Sequence, residues 1–142
     1  MILNPNVWGP HYWFVMHTIA MGYPKTPNET CRRKYYDLIN NIPLIIPSVS
    51  FGNIFTDLLD KYPVTPYLDS QDSFIKWVHF IHNKINVILG KPEIPFDTAM
   101  TLYNRHYIMN TPEIVKKKSV KLYVNIIEIL LLFYISYKLY IL

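Results

Sequence analysis

Cysteine is nearly missing: Cys31 is the single one in 142 residues, so no disulfide can close within the chain. That excludes a disulfide-stapled secreted scaffold. Charged residues are also sparse, at 17% against 51% apolar, a balance that argues for a packed core and against disorder. Strand-like alternation is scarce, and neither an internal repeat nor a low-complexity segment is present. The N-terminus, MILNPNVWGP, lacks the basic segment and long apolar stretch of a signal peptide, so the folded part is expected on the cytosolic side. The length suits one domain with a real core and is short for two.

Aromatic side chains are what the chain has in excess: 12 Tyr, 7 Phe and 3 Trp. They suit a core, and equally a wall that stacks a planar ligand. The net charge of +4 is concentrated in Lys116, Lys117, Lys118 and Lys121. A basic run beside an apolar tail reads as a membrane flank rather than a nucleic-acid footprint, and no nucleic-acid partner is expected.

Apolar spacing is helical and is punctuated by prolines at intervals of about one helix. The expected first helix runs from near Pro10 to Gly22. A second opens at a capping box, Thr26-Pro27-Asn28-Glu29, and reaches Ile42. The third starts near Ser48, which serves as its cap, and stops before Pro63. A fourth spans Ser70 to Gly90, and a shorter one covers Asp97 to Tyr107. Thr111-Pro112 opens a last helix reaching almost to the end. The fold class is therefore all-α: a four-helix bundle with an additional short helix over residues 1–110, then a basic flank and hydrophobic C-terminal helix over 111–142.

Within FIKWVHFIHNKINVILG, Phe74, Trp77, Ile81, Ile85 and Ile88 form a core stripe. A second stripe holds His79, His82, Asn83 and Asn86. It is polar yet almost uncharged, whereas a merely solvated face usually carries Lys and Glu. Two readings stand: hydrogen bonding to a heteroatom-rich ligand, or a buried network between helices. A metal centre has little behind it, because no third ligand is paired by motif with His79 and His82. In the first helix Trp8, Trp13 and His17 recur at intervals of five and four, a pattern that core packing also produces.

Taken together, these motifs resemble the Erv/ALR family of FAD-linked sulfhydryl oxidases. The residues that carry the resemblance are Trp8-Gly9, Trp13 to His17, Tyr23-Pro24, Trp77, His82-Asn83-Lys84-Ile85-Asn86 and Leu89-Gly90-Lys91-Pro92. It covers roughly residues 8 to 107. It implies a short helical bundle that holds FAD noncovalently, often as a homodimer. By position, Trp8, Gly9, Trp13, His17, Trp77, His82, Asn83, Asn86 and Lys91 become the cofactor-binding set. Trp13 and His17 would lie against the rings, His82, Asn83 and Asn86 would contact the cofactor, and Lys91 would sit near the phosphates.

The family's P-C-x-x-C motif at the start of the third helix is not kept. Pro47 remains, but Ser48 and Phe51 occupy the two cysteine positions, so no catalytic residue is assigned. Serine is far less acidic than cysteine and forms no disulfide. Two functions are thus expected in competition: thiol oxidation with oxygen as acceptor, drawing thiols from a protein partner, or a non-catalytic FAD-binding scaffold or dimerisation module. A flavin-free helical interaction protein is a third. Cys31, near Arg32, Arg33 and Lys34, is a weak redox candidate. The tail, Leu122 to Leu142, is bilayer-length as a helix, and the expectation carried forward is a single-pass membrane anchor with the bundle on the cytosolic side. Its alternative is a long helix packed on the bundle or on a second subunit.

Overall fold

The computed structural model describes residues 3–108 and 120–133. Among the described residues every regular element is helical. The chain divides into one compact unit through Met100 and another from Thr101 onward.

Helix α1 (Pro5–Met21) begins a turn before the expected start. Asn4 supplies the cap, its side chain accepting from the Asn6 amide at 2.9 Å, and Pro5 takes the first helical position. Pro10 therefore falls inside the helix. Helix α2 (Glu29–Ile45) is capped by Asn28, which accepts from the Cys31 amide at 2.8 Å. Thr26 is not the cap, and Pro27 precedes the helix instead of opening it. Helix α3 spans Val49–Lys61, helix α4 Gln71–Ile88 and helix α5 Phe96–Ile108. A single 3-10 turn, Thr65–Tyr67, separates α3 from α4. The Ser70 hydroxyl caps α4 by accepting from the Ser73 amide at 3.3 Å, and Gly90 follows it at φ 69°, the left-handed turn that glycine adopts without strain.

Helix α4 is the central element of the first unit. It packs against α1 and α3, while α2 packs on α3. Its Phe74, Trp77, Val78 and Ile81 are buried almost completely, beside Ile39 of α2 and Tyr23. Two aromatic polar atoms in this core are matched by backbone acceptors. The Trp77 indole N–H donates to the Tyr62 carbonyl at 3.1 Å, and the Tyr23 hydroxyl donates to the Leu68 carbonyl at 2.9 Å.

The approach of α2 to α3 depends on Gly52. A Cβ placed there would meet the Pro43 carbonyl oxygen at 2.8 Å. Backbone cannot swing aside as a side chain can, so the helices would have to separate. Gly52→Ala is expected to cost ~1–3 kcal/mol, read as a lower urea midpoint. Gly9→Ala meets open space within its helix and should instead gain up to ~1 kcal/mol.

In the second unit, the Tyr103 and Tyr107 hydroxyls pair at 2.8 Å. Residues 120–133 are helical, with exposed side chains. Here the expectation of a membrane anchor is corrected. Among the described residues no helix is long and apolar enough to cross a membrane. Glu128 lies within the helical residues 120–133. The single-pass assignment, and the cytosolic placement derived from it, are withdrawn. Residues 134–142 of the expected span, and the expected helix start at Thr111-Pro112, lie outside the described residues.

Candidate functional site

Trp13 and His17 stand one turn apart on α1, and His79, His82, Asn83 and Asn86 line one face of α4. Because α1 packs on α4, the two rows meet. The Trp13 and His82 rings lie parallel, 8° apart, with centroids separated by 4.0 Å. At that distance the two rings lie face to face in contact, with no slot between them, and the pair offers its outer faces. Phe55 of α3 backs Trp13 at 6.3 Å. Within the same cluster, His17 Nε2 and His82 Nδ1 approach to 3.3 Å, a separation that accommodates one proton between them.

The histidines are held neutral. Burial lowers His17 to about 4, with help from nearby His79. Burial also lowers His82 to about 3, reinforced by His17, His79 and Lys91. For His79, burial pushes the pKa down against the opposing pull of the Ile94 backbone and Glu93. A cluster of neutral rings beside a lysine, poor in carboxylates, is suited to an electron-rich or anionic ligand.

Asn83 has a role that spacing did not disclose. Its Nδ2 donates to the Ile94 carbonyl at 2.9 Å, while its Oδ1 accepts the Ile94 N–H at 3.0 Å. The side chain thereby imitates a strand pairing and fastens the segment after α4. Its amide also approaches His79 Nε2 at 3.2 Å, and Asn86 Nδ2 donates to its Oδ1 at 3.4 Å. The segment is fastened further by the edge of His79 against Phe96 at 5.3 Å and by a Lys84–Glu93 ion pair at 3.4 Å. One buried side-chain atom among the described residues lacks a hydrogen-bond partner, His79 Nδ1.

The remaining residues of the expected set are spread more widely. Trp77 is only 1% exposed, and its place is in the core. Lys91 is exposed at the end of α4. Trp8 makes edge-to-face contacts with Tyr12 at 5.4 Å and Phe51 at 5.7 Å. Phe51 thus extends the aromatic surface from α3 toward α1. Ser48 precedes α3 but makes no side-chain cap bond, contrary to the expectation that capping explains it. Its hydroxyl instead meets that of Ser50 at 3.1 Å. The half-buried Cys31 lies on α2. No group of three or more His, Cys, Asp or Glu that could hold a metal occurs among the described residues.

The all-helical bundle is a fold already seen in a solved protein. The structure of the yeast Erv1 core superposes with a TM-score of 0.64 at 19% identity, covering 77% of this chain and 87% of that one. At that identity the likeness establishes the fold. The chain belongs to the Erv1/Alr family, whose model matches residues 10–108. It is 32% identical to a mimivirus protein named "Probable FAD-linked sulfhydryl oxidase" over 69% of each chain. It is 34% identical to the rice FAD-linked sulfhydryl oxidase ERV1, over 58% of this chain and 42% of that protein.

Proposed function

We propose that this chain binds FAD against the stacked Trp13–His82 pair and serves in thiol oxidation, with thiols supplied by a partner protein. The observation that carries the reading is the wall itself: parallel rings, neutral histidines and one buried nitrogen awaiting a partner. An isoalloxazine or an adenine seeks an aromatic face and polar ring neighbours, and both are present. When bound, FAD supplies a two-electron acceptor that can return those electrons to oxygen.

The chain's own residues bind and orient. Trp13 and His82 provide the stacking face, and His17 supports His82 from behind. Asn83 and Asn86 form the polar floor, and Asn83 reaches the ligand chiefly by fixing Ile94. Lys91 offers the charge for a pyrophosphate, and Trp8 with Gly9 flanks the wall. Residues 1–110 constitute the cofactor-binding part. Since Cys31 has no second cysteine in the chain, at least one of the two thiols that become a disulfide must come from outside it. A homodimer belongs to the same proposal, and analytical ultracentrifugation of the purified protein tests it.

The visible spectrum is the first test. Purified protein is expected to be yellow, to release its flavin on denaturation, and to lose it when Trp13 is replaced by alanine. Stacking against an aromatic side chain is worth ~1–3 kcal/mol, so Trp13→Ala should weaken FAD binding by roughly fivefold to 150-fold. A colourless wild type with no FAD-dependent rise in melting temperature would remove the proposal. A second reading, a non-catalytic FAD-binding scaffold, is favoured by Ser48 and Phe51 standing at the family's cysteine positions. Oxygen consumption with dithiothreitol no faster than that of free FAD would select it.

A further inference from the structure

The unpartnered nitrogen of His79 has a definite chemical state, fixed by its neighbours. The Ile94 N–H must find an acceptor in Asn83, so the atom facing it is Oδ1 and the other branch is the amide nitrogen. That nitrogen has two hydrogens. One goes to the Ile94 carbonyl and the other points at His79 Nε2, 3.2 Å away. Nε2 consequently accepts, and the ring of a neutral His79 bears its proton on Nδ1. The Ile94 carbonyl also draws on the ring, but it already accepts from the Asn83 amide, so the tautomer follows from the orientation of Asn83.

The outcome is a buried N–H donor with no acceptor, on a side chain only 9% exposed. Such a group destabilises the fold when left unsatisfied. Apolar ring contact with Phe96 could be made by phenylalanine at this position without that cost. His79 also lies close enough to His17 and His82 to influence both, which places it within the wall's polar neighbourhood. His79 Nδ1 nonetheless makes no hydrogen bond to either ring.

We propose that His79 is a further ligand-binding residue, whose Nδ1–H donates a hydrogen bond to an acceptor heteroatom of bound FAD. This rests on the FAD-binding proposal above and adds a residue that the motif resemblance does not assign to the cofactor. It also divides the labour on α4. Asn83 positions, and His79, held in one tautomer by Asn83, makes the contact.

The test uses three variants of the full chain and measures FAD dissociation constants by flavin fluorescence, together with melting of the FAD-free protein. Asparagine places an amide near the Nδ1 position, whereas glutamine places it near Nε2. His79→Asn is expected to stay within about threefold of wild type. His79→Gln and His79→Phe are expected to bind FAD at least tenfold more weakly. In the FAD-free state, His79→Phe should melt no lower than wild type, because an unsatisfied donor has been removed. A purely structural histidine would give the opposite pattern, with lower FAD-free stability and affinity losses that follow it. Equal affinity in the asparagine and glutamine variants overturns the inference, as does an affinity loss in all three that tracks their melting temperatures. A wild type that binds no FAD is seen before any variant is made, and it ends the underlying proposal and this one together.

Discussion

With cysteines introduced at both Ser48 and Phe51, FAD-loaded protein is expected to consume oxygen with dithiothreitol at least tenfold faster than the parent. Position 48 is the N-cap residue of α3, and position 51 lies within its first turn. The unpaired amides and the positive end of the helix dipole there favour a thiolate, which is the nucleophilic form. Replacing Ser48 loses no cap, since its hydroxyl bonds only to Ser50 in this structure. Replacing Phe51 removes an edge-to-face contact with Trp8 and should cost ~1–3 kcal/mol of stability. Activity should therefore rise while the melting temperature falls, a combination that a general improvement in folding cannot produce. The single variants, having one thiol at the site, should stay near the parent rate. If the double variant remains at the rate of free FAD, the cradle is not positioned for thiol chemistry at all. If the parent already exceeds free FAD, thiols in trans suffice.

The second large effect concerns acid. His17 and His82 are held near 4 and 3 in the fold, against 6.5 when free. The folded protein keeps them neutral while the unfolded chain protonates them, so the unfolded state takes up protons as the pH falls below 6.5. Their contribution to stability is fully present above that value. It is lost progressively as the pH falls from 6.5 toward about 3. By pH 5 the loss should be about 2 kcal/mol for each histidine. Against a total of ~5–15 kcal/mol for a small domain, the urea midpoint should drop steeply between pH 7 and pH 5. The His17→Phe/His82→Phe double variant should flatten that dependence. A profile unchanged by the double variant would mean that other groups carry the acid sensitivity.

The helices were legible because local signals wrote them: helical apolar spacing, proline punctuation, Ser70 before α4 and Gly90 after it. The errors lie at the ends. Asn4 competes with the Pro10 signal and Asn28 with Thr26, and only the observed cap bonds show which donors are served. The tail misled for a related reason. A run of apolar residues specifies hydrophobicity, and among the described residues no helix is both long and apolar enough to cross a membrane.

The residue types of the site were likewise visible: Trp13 and His17 on one helix, the His and Asn stripe on another, and the missing cysteine pair. Sequence by itself determined the all-helical class, the family resemblance and the impossibility of an intrachain disulfide, because each follows from residue identity and spacing along one helix or one motif. Tertiary structure alone decided that Trp13 stacks on His82 and that Asn83 spends its amide on Ile94. It alone decided that His79 keeps an unanswered proton. Those facts depend on contacts between segments far apart in the chain, and on how two helices rotate to face each other, which spacing within either helix leaves undetermined.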